Sequence, residues 1–211
     1  MRGLLSVNQL IQLSKSNGME SIALTDVNCL SGFINFVKHC NSMDVKPIAG
    51  ANLITDNEDV IVLVENQVGY ENLCRIISKS HDLQDQRISD IIASHFSGLF
   101  ILTEQYSILK QLNSVVSNTH LFVELRPGGS ESEARKLAKK LKLEVVATGN
   151  VYFHNIKDYE SYIILQAIKK NTKIDNIKKE NDRSALNWFR NEESMVLSLI
   201  HISEPTRPVT I

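Results

Sequence analysis

The chain has 211 residues, 43% of them apolar and 22% charged, which supports one globular domain, or one with an appendage. Its 23 Lys and Arg against 24 Asp and Glu leave a net charge of -1, and this excludes the basic excess by which nucleic-acid binders attract phosphate. Three scattered cysteines, Cys29, Cys40 and Cys74, form no CxxC pair, and no run approaches the ~18 apolar residues of a membrane span, so the expectation is a cytoplasmic protein without disulfides, zinc cluster or membrane anchor.

In chain order, Ser6 and Gln9 read as a capping box before a helix with Val7, Leu10, Ile11 and Leu13 on one face and Gly18 just past its end. Ser21 to Thr25 follows as a short buried strand, with Asp26 at its C-terminal end. A helix from about Ser31 to Ser42 turns Phe33, Phe36, Val37 and Cys40 inward, and the next strand begins at Ile48 after Pro47. Val60 to Val64 is a strand, and Tyr70, Leu73, Cys74, Ile76 and Ile77 mark the buried stripe of a helix. Leu99 to Thr103 and Leu121 to Leu125 are strands separated by a helix carrying Ile108, Leu109 and Leu112. Ser130 to Leu141 is helical, Glu144 to Thr148 is the last strong strand, and Asp158 to Lys169 is a helix. Six strands alternating with about six helices predict an α/β fold on a parallel sheet, either a βα-barrel or a doubly wound sheet.

The ends differ from the middle. Because the chain opens on a helix, a parallel barrel built from these units would lack the strand that precedes it. After Met195 the helical periodicity fades into a Pro-containing mixture, so 1–195 is expected to be one domain and 196–211 a non-native or disordered tail.

In both candidate architectures chemistry gathers at the C-terminal ends of the strands. The polar residues there are Asp26, Asn28, Asn52, Glu104, Glu124, Arg126, Asn150, Tyr152 and His154. Metal-dependent hydrolysis needs several carboxylates and imidazoles converging on the ions, and amide carbonyls are weak ligands for zinc-type metals. Asp26 therefore reads as a strand-end residue capping the backbone amides of the next loop, and His154 as a surface or packing residue. The lysines of Arg135 to Lys142 and Lys169 to Lys179 recur at helical spacing and read as solvated faces. No nucleophile elbow and no glycine-rich dinucleotide loop occur.

Five blocks in fixed order carry a resemblance. Arg2 to Val7, Ala23 to Asn28 with Ser31-Gly32, Lys46 to Gly50, Gly69 to Ser78, and Val146 to Phe153 followed by Asp158 and Ile164 to Ile168 resemble the polymerase-and-histidinol-phosphatase (PHP) domain that opens the alpha subunits of bacterial DNA polymerase III. The resemblance covers Arg2 to about Met195. It implies a distorted seven-stranded, TIM-like βα-barrel, here without its first strand, which in active members carries a His-x-His metal motif. The family's Thr-Asp-His-Asn is Thr25-Asp26-Val27-Asn28, the glutamate expected two residues after Gly50 is Asn52, and the family's later aspartate and histidine fall on Asn150 and Tyr152.

Of these vestigial metal-site positions only Asp26 keeps a ligand, so the resemblance implies a degenerate domain with no metal and no catalytic residue of its own. It further implies a fragment of a replicative polymerase whose parent performs templated synthesis with Mg²⁺ outside this chain. Expected partners are the rest of the alpha chain and a proofreading exonuclease subunit, with DNA reached only through the parent. The alternative is a metal-dependent phosphoesterase or 3′–5′ exonuclease. A bracing role predicts an exposed apolar patch larger than a free monomer carries.

Overall fold

Helix α1 (Val7–Ser16) begins where Ser6 and Gln9 satisfy each other's backbone N–H groups, and it ends at Gly18, whose φ of 71° reverses the chain. Its apolar face and that of α2 (Phe33–Ser42) close over Ile11, Phe36, Cys40 and Val45. The computed structural model describes residues 3–81, 87–180 and 185–200.

The remaining elements follow the alternation expected of the sequence. Strands β1 (Ser21–Val27), β2 (Lys46–Ile54), β3 (Asp59–Val64), β4 (Leu99–Thr103), β5 (Leu121–Leu125) and β6 (Glu144–Ala147) form one sheet in that order. Helices α3 (Gln67–Ser80), α4 (Ile88–Ser94), α5 (Tyr106–Leu112) and α6 (Glu131–Leu141) cover one of its faces. Alternate residues of the strands, among them Leu53, Val60, Val62, Ile101 and Val123, meet Leu73, Ile76, Ile92, Leu109 and Leu112 from those helices. After β6, α7 (Tyr159–Lys170) and α8 (Ile174–Glu180) build a separate small core with Phe153, Tyr162, Ile163, Ala167 and Ile177.

The sheet departs from the all-parallel expectation at one strand. β3 runs antiparallel to both β2 and β4, whereas β1–β2, β4–β5 and β5–β6 are parallel. Only residues 55–58 join β2 to β3, and such a span can close a hairpin but cannot carry a crossover. The Thr55 hydroxyl holds the turn by accepting from the N–H of Glu58 at 3.1 Å, while Thr55 N–H donates to the Glu58 carbonyl at 2.9 Å.

Six strands are described, and β1 and β6 are the edges of the described sheet. The entry segment bridges the two sides without a strand: Leu4 N–H donates to the Tyr152 carbonyl at 2.6 Å, just before α1 packs beside β1. The fading periodicity after Met195 is corrected in part, because α9 (Glu192–Ile200) is helical across that point. Val196 borders one groove with Leu125, Val145 and Ala147. Residues 201–211 of the expected tail, like Arg2, lie outside the described residues. Among the described residues no helix is long and apolar enough to cross a membrane.

Candidate functional site

Strand ends meet at one end of the sheet: the C-termini of β1, β2, β4, β5 and β6, together with the N-terminus of β3. Register decides which side chains share a face there. Val27 pairs with Asn52, and Asn52 with Ile61, so these three point away from the helices. Asp26 pairs with Ala51, whose side chain belongs to the helix-covered core, and so projects to the opposite face. There its carboxylate lies over Gly32, where an added Cβ would come within 2.8 Å of Oδ2. The expectation that Asp26 caps backbone amides of the next loop is corrected: its carboxylate lies over Gly32 at the end of that loop but accepts no backbone hydrogen bond among the described residues.

Asn28 spends its whole amide on structure. Held at a φ of 52°, it donates from Nδ2 to the Ile54 carbonyl and accepts from Ile54 N–H at Oδ1, both at 2.8 Å. One more backbone bond extends the β1–β2 ladder here, from Asn28 N–H to the Asn52 carbonyl, and the His81 side chain, just past α3, meets the Asn28 carbonyl through Nε2 at 3.1 Å. Asn52 is the reverse case, since its side chain is buried and its Oδ1 has no hydrogen-bond partner.

The face turned from the helices carries a charged network further along the sheet. Glu124, 1% exposed, pairs with Val146, and Arg126 lies just past the end of β5. The Arg126 guanidinium donates to both carboxylate oxygens of Asp59, Nη1 to Oδ2 at 2.7 Å and Nη2 to Oδ1 at 3.0 Å, and Nη2 stands 2.9 Å from Glu124 Oε2. Thr148 donates its hydroxyl to Glu124 Oε1 at 2.5 Å. Burial pushes the Glu124 carboxyl above its ordinary range, with Arg126 and Thr148 acting in the opposite sense. Burial also works against the Arg126 charge, but the bonds to Asp59 and Glu124 outweigh it and hold the guanidinium firmly protonated.

Asp59 was not among the candidates in the sequence. On a parallel β3 it would lie at the far end of the sheet, and only the hairpin brings it to Arg126. The remaining candidates sit in loops. Asn150 adopts a φ of 43°. Tyr152 stacks on Tyr162 with ring centroids 5.6 Å apart, and its N–H donates to the Asn187 carbonyl. His154 and Glu104 are exposed.

This donor set does not fit a hydrolytic metal centre. Among the five vestigial positions, Asp26 is the one carboxylate and it faces away from Asn52, Val27 has no donor, and Asn150 and Tyr152 supply an amide and a phenol. No group of three His, Cys, Asp or Glu suited to a metal occurs among the described residues. The carboxylates that do converge, Asp59 and Glu124, enclose a guanidinium, which already supplies the positive charge there.

A family model described as PHP domain matches residues 1–186. The DNA polymerase III subunit alpha of Pasteurella multocida is 26% identical over 228 residues, a match covering 92% of this chain and 20% of that one. The same subunit of Vibrio cholerae is 28% identical over 227 residues with the same coverage. A solved structure of an amidohydrolase from Chromobacterium violaceum superposes with a TM-score of 0.45 at 8% identity, covering 68% of this chain and 81% of that one. The chain thus spans about a fifth of the length of the polymerase subunits it matches.

Proposed function

The chain belongs to the PHP domain family, and from that premise we propose that it is a non-catalytic domain of a bacterial replicative DNA polymerase alpha subunit. The parent would carry out templated nucleotidyl transfer with Mg²⁺, using carboxylates outside this chain. The domain's part in it is mechanical: a βα-barrel scaffold that braces the polymerase and offers surface to its other chains, cytoplasmic and in contact with DNA only through the parent. The two polymerase subunits that match 92% of the chain support the assignment, and the near-neutral charge agrees with a domain that does not grip phosphate itself.

One observation carries the non-catalytic reading. At the polar end of the sheet the converging carboxylates Asp59 and Glu124 are bridged by Arg126, while the family's ligand positions hold Val27, Asn52, Asn150 and Tyr152 beside Asp26. A guanidinium seated between the two carboxylates occupies the place a divalent ion would take between them.

Elemental analysis of the purified chain, paired with a p-nitrophenyl phosphate assay, tests this reading. The expected result is far less than one zinc or manganese per chain and no hydrolysis above buffer. Near-stoichiometric metal with turnover would overturn it in favour of a metal-dependent phosphoesterase. The parent is tested by sequencing the locus: an open frame encoding a polymerase palm downstream supports it, and any other downstream product refutes it.

A further inference from the structure

Among the described residues two arginine side chains are withdrawn from water, and they are matched differently. Arg126 is bridged to Asp59 and Glu124. Arg190, only 4% exposed, enters no ion pair among the described residues. Its backbone is fixed from the other side of the sheet's end: Tyr152 N–H donates to the Asn187 carbonyl at 2.8 Å, and Phe189 N–H to the Phe153 carbonyl at 2.9 Å. Trp188 packs on the small core of Phe153, Tyr162 and Ile163. The Arg190 guanidinium lies over that indole, its Cζ 4.1 Å from the ring centroid, and Nη1 donates to the carbonyls of Leu186 and Trp188.

These contacts employ one nitrogen and one face of the guanidinium. Nε is buried with no hydrogen-bond partner, and Nη2 donates to no described residue. Together they form the side edge of the group, two parallel N–H donors whose spacing matches the two oxygens of a carboxylate. A cation held this far from water ordinarily has a counter-ion, because carbonyl groups and an aromatic face return only part of the lost hydration. Burial accordingly pulls the Arg190 guanidinium below its ordinary value, with no carboxylate acting against it. At Arg126 the bonds to Asp59 and Glu124 outweigh the same effect. Glu193, the described carboxylate nearest in the chain, is exposed and forms no ion pair.

We propose that the Nε–Nη2 edge of Arg190 is a binding site for a carboxylate group, held by two parallel N–H donors beside Trp188. The side chain is almost closed to water, so the site admits a small planar group and disfavours the bulkier tetrahedral phosphate. A free organic acid and a glutamate side chain of another protein present the same two oxygens. The edge belongs to the folded chain whatever parent it serves, so the inference stands apart from the polymerase assignment.

Arginine Nε–H resonances of the nitrogen-15-labelled 211-residue chain test it, with sodium formate added at constant ionic strength. One resonance, assigned by its loss in Arg190→Lys, should shift saturably. Formate should also raise the melting midpoint by about 2–4 °C over an equal concentration of chloride, and that rise should vanish in Arg190→Lys, which keeps the charge without the fork. The comparison of formate with chloride on the unsubstituted chain holds even where the variant fails to fold. N-acetylglutamate amide separates the sources: a matching shift assigns the site to a protein side chain, and a response to formate alone assigns it to a small free acid, both in support. A resonance that does not move, equal midpoints in formate and chloride, or tighter binding of phosphate than of formate would overturn the proposal. So would movement of the Arg190 resonance in formate-free Asp182→Asn or Glu192→Gln, because the edge would then belong to a carboxylate of the same chain. None of these readouts depends on metal content or on the downstream gene.

Discussion

Asn28 ties β1 to β2 through two side-chain bonds to Ile54 while holding a left-handed backbone. Alanine there removes both bonds, at about 0.5–1.5 kcal/mol each, and adds about 1 kcal/mol of conformational strain. Urea denaturation of Asn28→Ala should show a loss of about 2–4 kcal/mol, with Asn28→Gly about 1 kcal/mol less affected. Equal losses in the two variants would show that the backbone at this position is unstrained. Glu124 makes a different prediction, set by pH. Its carboxyl is raised from an ordinary value of 4.5, chiefly by burial, so between that value and the raised one the folded chain binds the extra proton. Stability contributed by this residue therefore falls as pH rises through that window. Glu124→Gln should flatten that slope in denaturation curves taken from mildly acidic to neutral pH, and an unchanged slope would show that Glu124 is not the group responsible. The sequence places both residues at strand ends. It does not reveal that one amide is consumed by a neighbouring strand, or that Asp26 and Asn52 project to opposite faces.

At the level of elements, close approach governs the packing of α3. Gly69 touches the turn before β4 so tightly that an added Cβ would stand 1.8 Å from the Gly98 carbonyl oxygen, a backbone atom that cannot swing aside. Gly69→Ala should lower the unfolding free energy by about 3 kcal/mol or more, whereas Gly18→Ala, with open space around it, should show only the roughly 1 kcal/mol of its left-handed φ. Thermal melts of the two variants side by side separate clash from strain. Helix α4 is short, has no side-chain cap of its own at Arg87, and was not evident in the sequence. Its first turn is held from a distance: the buried Glu58 carboxylate accepts the Ser89 hydroxyl at 2.5 Å and the Ser89 N–H at 3.2 Å. A cap that comes from the β2–β3 turn leaves no signature at the helix itself, which explains why local spacing overlooks it.

Over the whole molecule, β6 is an edge of the described sheet, and Val196 of α9 borders one groove with its Val145 and Ala147. The Met195 methyl would lie 3.5 Å from a Cβ on Gly149, just past that strand. A chain ending at Asn191 should therefore melt a few degrees below one ending at Ile200, since about 1–2 kcal/mol moves the midpoint of a domain this size by roughly 2–8 °C. Equal midpoints would show that α9 adds nothing to the edge. The truncated chain should also associate more readily, because an uncovered apolar strand edge invites pairing.

The amino-acid sequence by itself determined the alternation of strands and helices, the residues buried between them, the capping box at Ser6 and the family. All of these follow from local periodicity or from motifs a few residues long. Tertiary structure alone decided the direction of β3, the company Asp59 keeps with Arg126 and Glu124, and the face on which each strand-end side chain stands. These depend on strand register and on partners tens of residues away in the chain, and a one-residue difference along a strand reverses the face on which a side chain points.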